Sequence, residues 1–435
     1  MELYANFTFD RAGQGLFYHG RIQSGNQSFS MVYDCGTSSQ IKGASQNLSE
    51  VIRNEYNQKT FLGLLAISHF DFDHVSHIPE LLKTCKVDTV MLPHIAKDLR
   101  AVFLAKAVSD GRDNDEYAQN NQKFSRDLAW LFRDPVGYFT EMGGARQVIG
   151  IQGDSGDDFS SDFNDKEEPI KQFNPNENEK REDHPSLRYV GGGRHLYWEN
   201  GIRNKYSVYC GIPAYRVEIN AFSWLFRPLN VQETLPQTFY DDATKILNRY
   251  KDDWWELLSD KHAINELTKL YDLYIGRGNR NAHSLLLRHE PEQYGGLISK
   301  KYRHKQCGCC GCIEHFHRQH CGSISATVLL GDLELDGKAR AVLDTHGFLD
   351  YKTGVALIPH HGANSDDLLW LDRKISNCDG CATLVVSYGT KNRCFDKNDN
   401  PHPRFIYDGT IANLNNSIAF ANEKNSYQYR VFYER

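Results

Sequence analysis

The stretch FLGLLAISHFDFDH, residues 61–74, decides how the rest of the chain is read. Residues 61–68 form an apolar run of strand length, which suits a buried strand. The run stops at His69, and Asp71, Asp73 and His74 follow within six residues. The chain turns at a strand end, so these four side chains can be aimed at one point. Imidazole and carboxylate together suit zinc or manganese, and two such ions need about this many ligands. The plainer alternative is a polar turn that holds His and Asp by chance. Downstream, IPELLKTC reads as a helix with Pro79 in its first turn, and KVDTVMLP as a second buried strand. Upstream, FTF, GLFYHGRI and FSMVYDCG read as two or three antiparallel strands. Strands that feed helices make the fold α/β.

The chain has 435 residues, 40% hydrophobic and 24% charged, as expected of a globular protein with a large core. Its net charge of -6 excludes a whole-protein basic field for nucleic acid, though not a local basic groove. The N-terminal MELYANFTFDRAGQG has no basic segment followed by an apolar one, so no secretory signal is expected. No apolar run approaches membrane-spanning length. Of the 11 cysteines, five fall between Cys307 and Cys321, and Cys378 and Cys381 form a C-x-x-C pair. Without a secretion signal, this favours reduced thiols or bound metal over disulfides, and a cytoplasmic location.

Beyond residue 100, LRAVFLAKAV and FSRDLAWLFRD read as helices. They give way to an acidic segment, QGDSGDDFSSDFNDKEEPIKQFNPNENEKREDHP, which cannot bury enough surface to offset its ordering entropy and reads as a mobile loop. Strands resume at YSVYCGIP and YRVEINAFSWLFRPL, followed by a Trp-containing helical region at about 238–275. HSLLLRHE, ISATVLLGD, GVALIP, ATLVVSYG and YQYRVFYE read as further strands. The simplest organisation is one discontinuous domain with two insertions. Residues 1–100 form the first half of its core, 101–204 an insertion with the acidic loop, and 205–235 core strands. Residues 236–278 form a helical insertion, and 279–435 the second half, with a Cys/His-rich loop at 304–321.

Two more strand ends carry ligand-type residues. Gly331-Asp332 closes ISATVLL, and Pro359-His360-His361-Gly362 closes GVALI. In α/β sheets, functional groups gather beyond the carboxyl ends of strands, so three such ends could converge. With these motifs in this order, the chain resembles the metallo-β-lactamase superfamily, and within it the soluble hydrolase domain of ComEC-type competence proteins. That branch has H-x-D-x-D-H where most of the superfamily has H-x-H-x-D-H. Gly13-Gln14-Gly15, Asp34-Cys35-Gly36, Asn281-Ala282-His283-Ser284, Ser387-Tyr388-Gly389, Asn392-Arg393 and His402-Pro403 are similar to its supporting motifs. The resemblance implies an αββα sandwich of two mixed sheets flanked by helices, with large insertions.

It also implies two divalent metal ions. His69 and Asp71 would bind the first, Asp73 and His74 the second, and Asp332 would bridge them. His361 would complete the second site with His360 near the substrate, the choice of ligand within that pair being open. Asp34 would orient the ligand loop through hydrogen bonds. The superfamily's separate third-motif histidine has no clear counterpart, His283 being a weak candidate, and ComEC's membrane channel is absent. Two cations would lower the pKa of a shared water and neutralise charge on a phosphoryl or carbonyl oxygen. Asp73 could accept the water's proton, and His360 or His402 could protonate the leaving group. Asp71 in place of an imidazole makes the first site harder, which suits manganese and anionic substrates.

The leading expectation is therefore a phosphodiesterase or nuclease acting on nucleic acid or a nucleotide. The alternatives are a lactonase or phosphorylcholine-type esterase on the same fold, or a non-catalytic, metal-stabilised scaffold whose insertions bind a partner protein. Separately, Cys307, Cys309, Cys310, Cys312, His315, His317, His320 and Cys321 could hold a structural zinc, with Cys378 and Cys381 completing it from a distance. Arg277, Arg280, Arg303, His304 and Lys305 could form a phosphate-binding rim or a solvated face. Trp254, Trp255 and FSWLF could stack on bases, but core packing is the commoner use.

Overall fold

The computed structural model describes residues 2–39, 43–57, 60–112, 126–153, 184–200, 205–231, 235–251, 253–275, 284–292, 326–350, 352–362, 364–375, 382–389, 417–422 and 425–434. The strands, in chain order, are β1 (Glu2–Phe9), β2 (Gly15–Ser24), β3 (Gln27–Thr37), β4 (Phe61–Ala66), β5 (Lys86–Pro93), β6 (Gln147–Gln152), β7 (Arg188–Gly191), β8 (Arg194–Asn200) and β9 (Lys205–Cys210). They continue with β10 (Ala214–Ile219), β11 (Phe222–Asn230), β12 (Leu285–Pro291), β13 (Ala326–Leu329), β14 (Thr353–Leu357), β15 (Thr383–Ser387), β16 (Ser417–Ala421) and β17 (Tyr427–Glu434). The helices that matter below are α1 (Ala44–Glu55), α2 (Phe72–Val75), α3 (Ile78–Thr84), α4 (Lys97–Arg112), α5 (Arg126–Arg133) and α6 (Pro135–Glu141). To these are added α7 (Gln237–Leu247), α8 (Trp254–Ser259), α9 (Lys261–Leu270), α10 (Gly337–Thr345) and α11 (Ser365–Ile375).

Two mixed sheets result. The nine-stranded sheet runs β17-β1-β2-β3-β4-β5-β6-β9-β8, and the eight-stranded sheet runs β16-β15-β14-β13-β12-β11-β10-β7. β3 through β9 pair in parallel in the first sheet, and β13 through β16 in the second. The other pairings are antiparallel, chiefly hairpins such as β1–β2 and β10–β11.

The apolar runs are explained by burial on both faces. Leu64 and Ala66 of β4 point into the core between the sheets, while Leu62 and Leu65 point to the helices outside. In β14, Val355 and Leu357 face between the sheets, and Ala356 packs under α10 and α11 beside Leu343 and Leu371. A strand covered on both sides has no solvent face to mark with polar residues. β1 shows the contrast. Leu3, Ala5, Phe7 and Phe9 are buried between the sheets, while the alternating Tyr4 is 46% exposed. The layers are thus helices, sheet, sheet, helices. Among the described residues, no helix is long and apolar enough to cross a membrane.

Helices α7, α8 and α9 pack on α4, which explains why α4 is apolar on nearly every side, with Leu99, Val102, Phe103, Leu104 and Val108 all buried. Trp254 lies in this core and Trp224 between the sheets, so neither offers a face to a base. Trp255 is exposed, with the Arg126 guanidinium 4.9 Å from its ring centre. The acidic segment at 154–183 and the Cys/His-rich loop lie outside the described residues.

The core between the sheets is not wholly apolar. The Trp224 indole N–H donates to His289 Nδ1 at 3.2 Å, which leaves the proton on Nε2 to donate to Tyr18 Oη at 2.7 Å. Tyr18 meets Tyr429 Oη at 2.7 Å, and Tyr429 meets Thr327 Oγ1 at 2.5 Å. The chain of hydrogen bonds stitches β11, β12, β2, β17 and β13 across the sandwich, and each buried polar atom in it has a partner. Burial drives the His289 pKa from 6.5 down to about 3. Between those values the unfolded chain binds a proton that the folded one refuses, so His289 lowers stability as the pH falls from 6.5 towards 3. His289→Gln should remove about 1.4 kcal/mol per pH unit from the slope of unfolding free energy against pH. Urea unfolding between pH 6 and pH 4 measures this, and an unchanged slope would contradict it.

Candidate metal centre

β3 and β4 lie side by side in parallel, and their carboxyl ends build the first part of the site. Asp34, fully buried near the end of β3, has a left-handed backbone with φ 58°. Its Oδ1 accepts the Ser68 N–H at 2.7 Å, and its Oδ2 accepts the Ser68 hydroxyl at 2.6 Å and His74 Nδ1–H at 2.8 Å. The Ser68 proton is committed to Asp34, so His69 Nδ1–H donates to Ser68 Oγ at 2.8 Å. From the other sheet, His361 Nδ1–H donates to the Ser387 carbonyl at 2.8 Å. All three rings therefore engage their Nδ1 and turn Nε2 towards the carboxylates.

Those Nε2 atoms of His69, His74 and His361 are buried and have no hydrogen-bond partner among the described residues. They point at carboxylates. Asp332 reaches all three, with Oδ1 3.3 Å from His74, and Oδ2 3.6 Å from His361 and 3.9 Å from His69. Asp73 Oδ2 is 3.3 Å from His361 Nε2, Asp73 Oδ1 is 4.0 Å from His74 Nε2, and Asp71 Oδ2 is 3.7 Å from His69 Nε2. Most of these separations are long for hydrogen bonds. They are near the roughly 3.4 Å that separates two ligands of one ion in tetrahedral geometry with bonds of about 2.1 Å. Two overlapping triads, His69–His74–Asp332 and Asp73–His74–His361, could each hold a metal ion.

Protons must fill the site when no cation does. Burial works against charge on His74, but Asp332, Asp34 and Asp73 outweigh it and raise its pKa well above the usual value. His361 is raised in the same way, against its burial, chiefly by Asp332 and Asp73. Burial and the neighbouring His74 push His69 down to about 3. Burial opposes charge on Asp73 too, yet His74 and His361 hold it at about 2.

Glycines let these parts close on one another. A Cβ at Gly36 would come within 2.6 Å of the Asp73 carbonyl oxygen, so only glycine lets α2 settle on β3. Gly331, at φ 54°, brings β13 against Ser68 and aims Asp332 inward. Asp34 and His361 both have positive φ, as does His360 beside them, so two of the five such non-glycine residues among the described residues belong to the cluster. Backbone of this kind costs of order 1–3 kcal/mol per residue and persists where the surroundings impose it.

Of the residues expected from the sequence, the structure brings His69, Asp71, Asp73, His74, Asp332, His361 and Asp34 together. It does not bring His360 into the cluster. That residue is half-buried, and its charge is felt at Asp367, whose pKa burial raises and Arg340 and His360 only partly pull back. His402, His283, the Cys307–Cys321 cluster, Cys378, Cys381 and the arginine-rich rim candidates lie outside the described residues. Two participants carry no expected role in the sequence reading. Ser68 holds Asp34 and both early histidines, and its signal is a hydroxyl set between an apolar strand and a ligand. The Ser387 carbonyl is backbone, which sequence does not mark, though Ser387 Oγ also ties this strand end to the Gly15 carbonyl at 2.7 Å.

No protein-family model matches the chain, and no curated protein is significantly similar to it.

Asp34→Asn tests the hydrogen bonding behind the ligands, because Asn tolerates the left-handed backbone but offers one acceptor oxygen where Asp34 uses two. Divalent-metal affinity, read by competition with a chromophoric chelator, should fall about 10- to 100-fold. With His74 protonated before loading, metal uptake at pH 7 should release protons and weaken as the pH falls. Calorimetry in buffers of different ionisation enthalpy reads that release.

Proposed function

We propose that the chain is a hydrolase of the metallo-β-lactamase fold that uses two divalent cations, zinc or manganese, to cleave phosphodiester bonds in nucleic acid or a nucleotide. The observation that carries this reading is the set of three buried, partnerless imidazole nitrogens gathered with Asp73 and Asp332 at the carboxyl ends of strands from both sheets. His69 and Asp71 would hold one cation and Asp73, His74 and His361 the other, with Asp332 between them. The distances support that division, since Asp71 approaches His69 while Asp73 approaches His361. Bound there, the cations would lower the pKa of a water and neutralise negative charge on a phosphoryl oxygen.

The chain's own residues set the rest. The imidazoles form the floor, and the carboxylates of Asp71 and Asp73 stand at the mouth, 27% and 16% exposed. Asp73 is reachable from solvent at the mouth of the cluster, so its carboxylate is the group placed to take a proton from the attacking water. Asp71, Asp73 and Asp332 contribute three negative charges against four from two divalent cations. The near balance favours a substrate that brings negative charge of its own, which a phosphodiester does and a neutral lactone does not.

The purified chain should cleave bis-p-nitrophenyl phosphate, single-stranded DNA or RNA with manganese or zinc. Asp73→Ala and Asp332→Ala should each lower kcat by at least about 100-fold while the folded content by circular dichroism is unchanged. Cleavage of simple esters or lactones with none of phosphodiesters would replace this substrate class. Loaded metal with no hydrolysis of any substrate would leave the scaffold reading.

A further inference from the structure

A second polar cluster lies one strand over from His69, on the same carboxyl edge of the nine-stranded sheet. His94 directly follows β5, its backbone N–H donating to the Ile151 carbonyl at 2.8 Å. Its Nδ1 meets Tyr206 Oη at 2.7 Å. Gly150 makes the room, since a Cβ there would come within 2.8 Å of Tyr206 Oη and 3.2 Å of His94 Cβ. Arg100, in the first turn of α4, completes the group. Its guanidinium donates only to backbone carbonyls, of Ile95 at 3.3 Å and Arg133 at 3.2 Å, and its Nε is buried with no partner among the described residues.

Arg100, half-buried with its Nε enclosed, stands apart from other arginines that reach inward. Arg146 is bidentate to Asp88, and Arg288 is held by Glu290 and Asp350. No carboxylate among the described residues pairs with Arg100. Asp134, the nearby acid, is engaged in capping α6 by accepting the Gly137 N–H at 2.9 Å. Burial draws the Arg100 pKa below its usual value, with Tyr206 and Asp134 offsetting part of the effect. A partly desolvated guanidinium that no carboxylate balances gains from an anion that reaches it. The cluster is also joined to the ligand loop, because Phe132, next to Arg133, packs on Phe70 with ring centres 5.5 Å apart.

We propose that Arg100, His94 and Tyr206 form an anion subsite that holds a phosphate group of the substrate next to the one being cleaved. A planar guanidinium fork and the one proton that the His94–Tyr206 hydrogen bond leaves over, on His94 Nε2 or Tyr206 Oη, offer donors that phosphate oxygens accept. The assignment of the ligand to the substrate rests on the phosphodiesterase reading above, while the anion preference stands on Arg100 itself.

The experiment separates the two. Inorganic phosphate is titrated into the full chain stripped of divalent cations, for the wild type and for Arg100→Met. Phosphate should bind the wild type, and Arg100→Met should weaken it at least about 10-fold, as expected on losing a charge-assisted bidentate contact. The Tm of Arg100→Met should be equal to or above that of the wild type, because the variant removes a partly desolvated charge that no carboxylate balances. In the metal-loaded protein, the ratio of kcat/KM on a 5′-phosphorylated dinucleotide to that on bis-p-nitrophenyl phosphate should fall about 10-fold in the variant. Equal phosphate affinity in wild type and variant, or a lowered Tm with equal affinity, overturns the subsite and makes Arg100 a brace for two backbone carbonyls. Absence of any phosphodiester cleavage by the wild type overturns the catalytic reading, and the phosphate titration still decides the subsite.

Discussion

Asp34 is the interaction on which the rest of the site depends. A buried carboxylate needs several donors to remain in the protein interior. Asp34 finds them in the Ser68 N–H, the Ser68 hydroxyl and His74. Satisfying that one group fixes the end of β3 against the end of β4, sets the His74 tautomer and, through Ser68, that of His69. Its left-handed backbone is the cost of turning the carboxylate into the site. The opposite sheet answers with the Ser387 carbonyl, which does for His361 what Asp34 does for His74. Each imidazole is oriented by its own strand end, so the convergence of three Nε2 atoms is a property of the two sheets rather than of flexible loops.

The electrostatics follow from the same crowding. Four buried or half-buried carboxylates face three imidazoles in a small volume, and His69 is forced neutral while His74 and His361 are driven towards the charged form. Cations would resolve this conflict better than protons can, because each would meet several of these nitrogens and carboxylates at once. Proton and metal therefore compete for one set of atoms, and the acidity of the medium sets the outcome.

The sequence made the ligands legible because they sit at strand ends, where a break in hydrophobicity is followed at once by His and Asp. FLGLLAIS, GVALIP and ATLVVSYG are apolar runs bounded by turns, and these and KVDTVMLP form strands buried on both faces. β6 was not legible. Its QVIGIQ is short and holds a glycine, and its need for Gly150 comes from the Tyr206 and His94 side chains that fill the space. Helix α1 was missed as well, since ASQNLSEVIRNE is polar and only its buried Leu48, Val51 and Ile52 stripe turns to the core. Asn, Ser and Val weaken its local preference, and packing supplies what propensity does not. Neither the choice of His361 over His360 nor the position of Arg100 could be read from the sequence, because both depend on which way a turn points a side chain.

The candidate metal centre draws on residues 34 to 74 of one sheet and 332 to 387 of the other, and neither set is complete alone. During synthesis the first set emerges long before the second, since folding units form from the N-terminus onward. An early intermediate would hold Asp34, His69, Asp71, Asp73 and His74 with more carboxylate than imidazole and no Asp332 to bridge them. Its affinity for a cation would be that of a partial ligand set. The nascent protein is in this sense born without its candidate site, and the two halves of the chain must meet before the full ligand set exists.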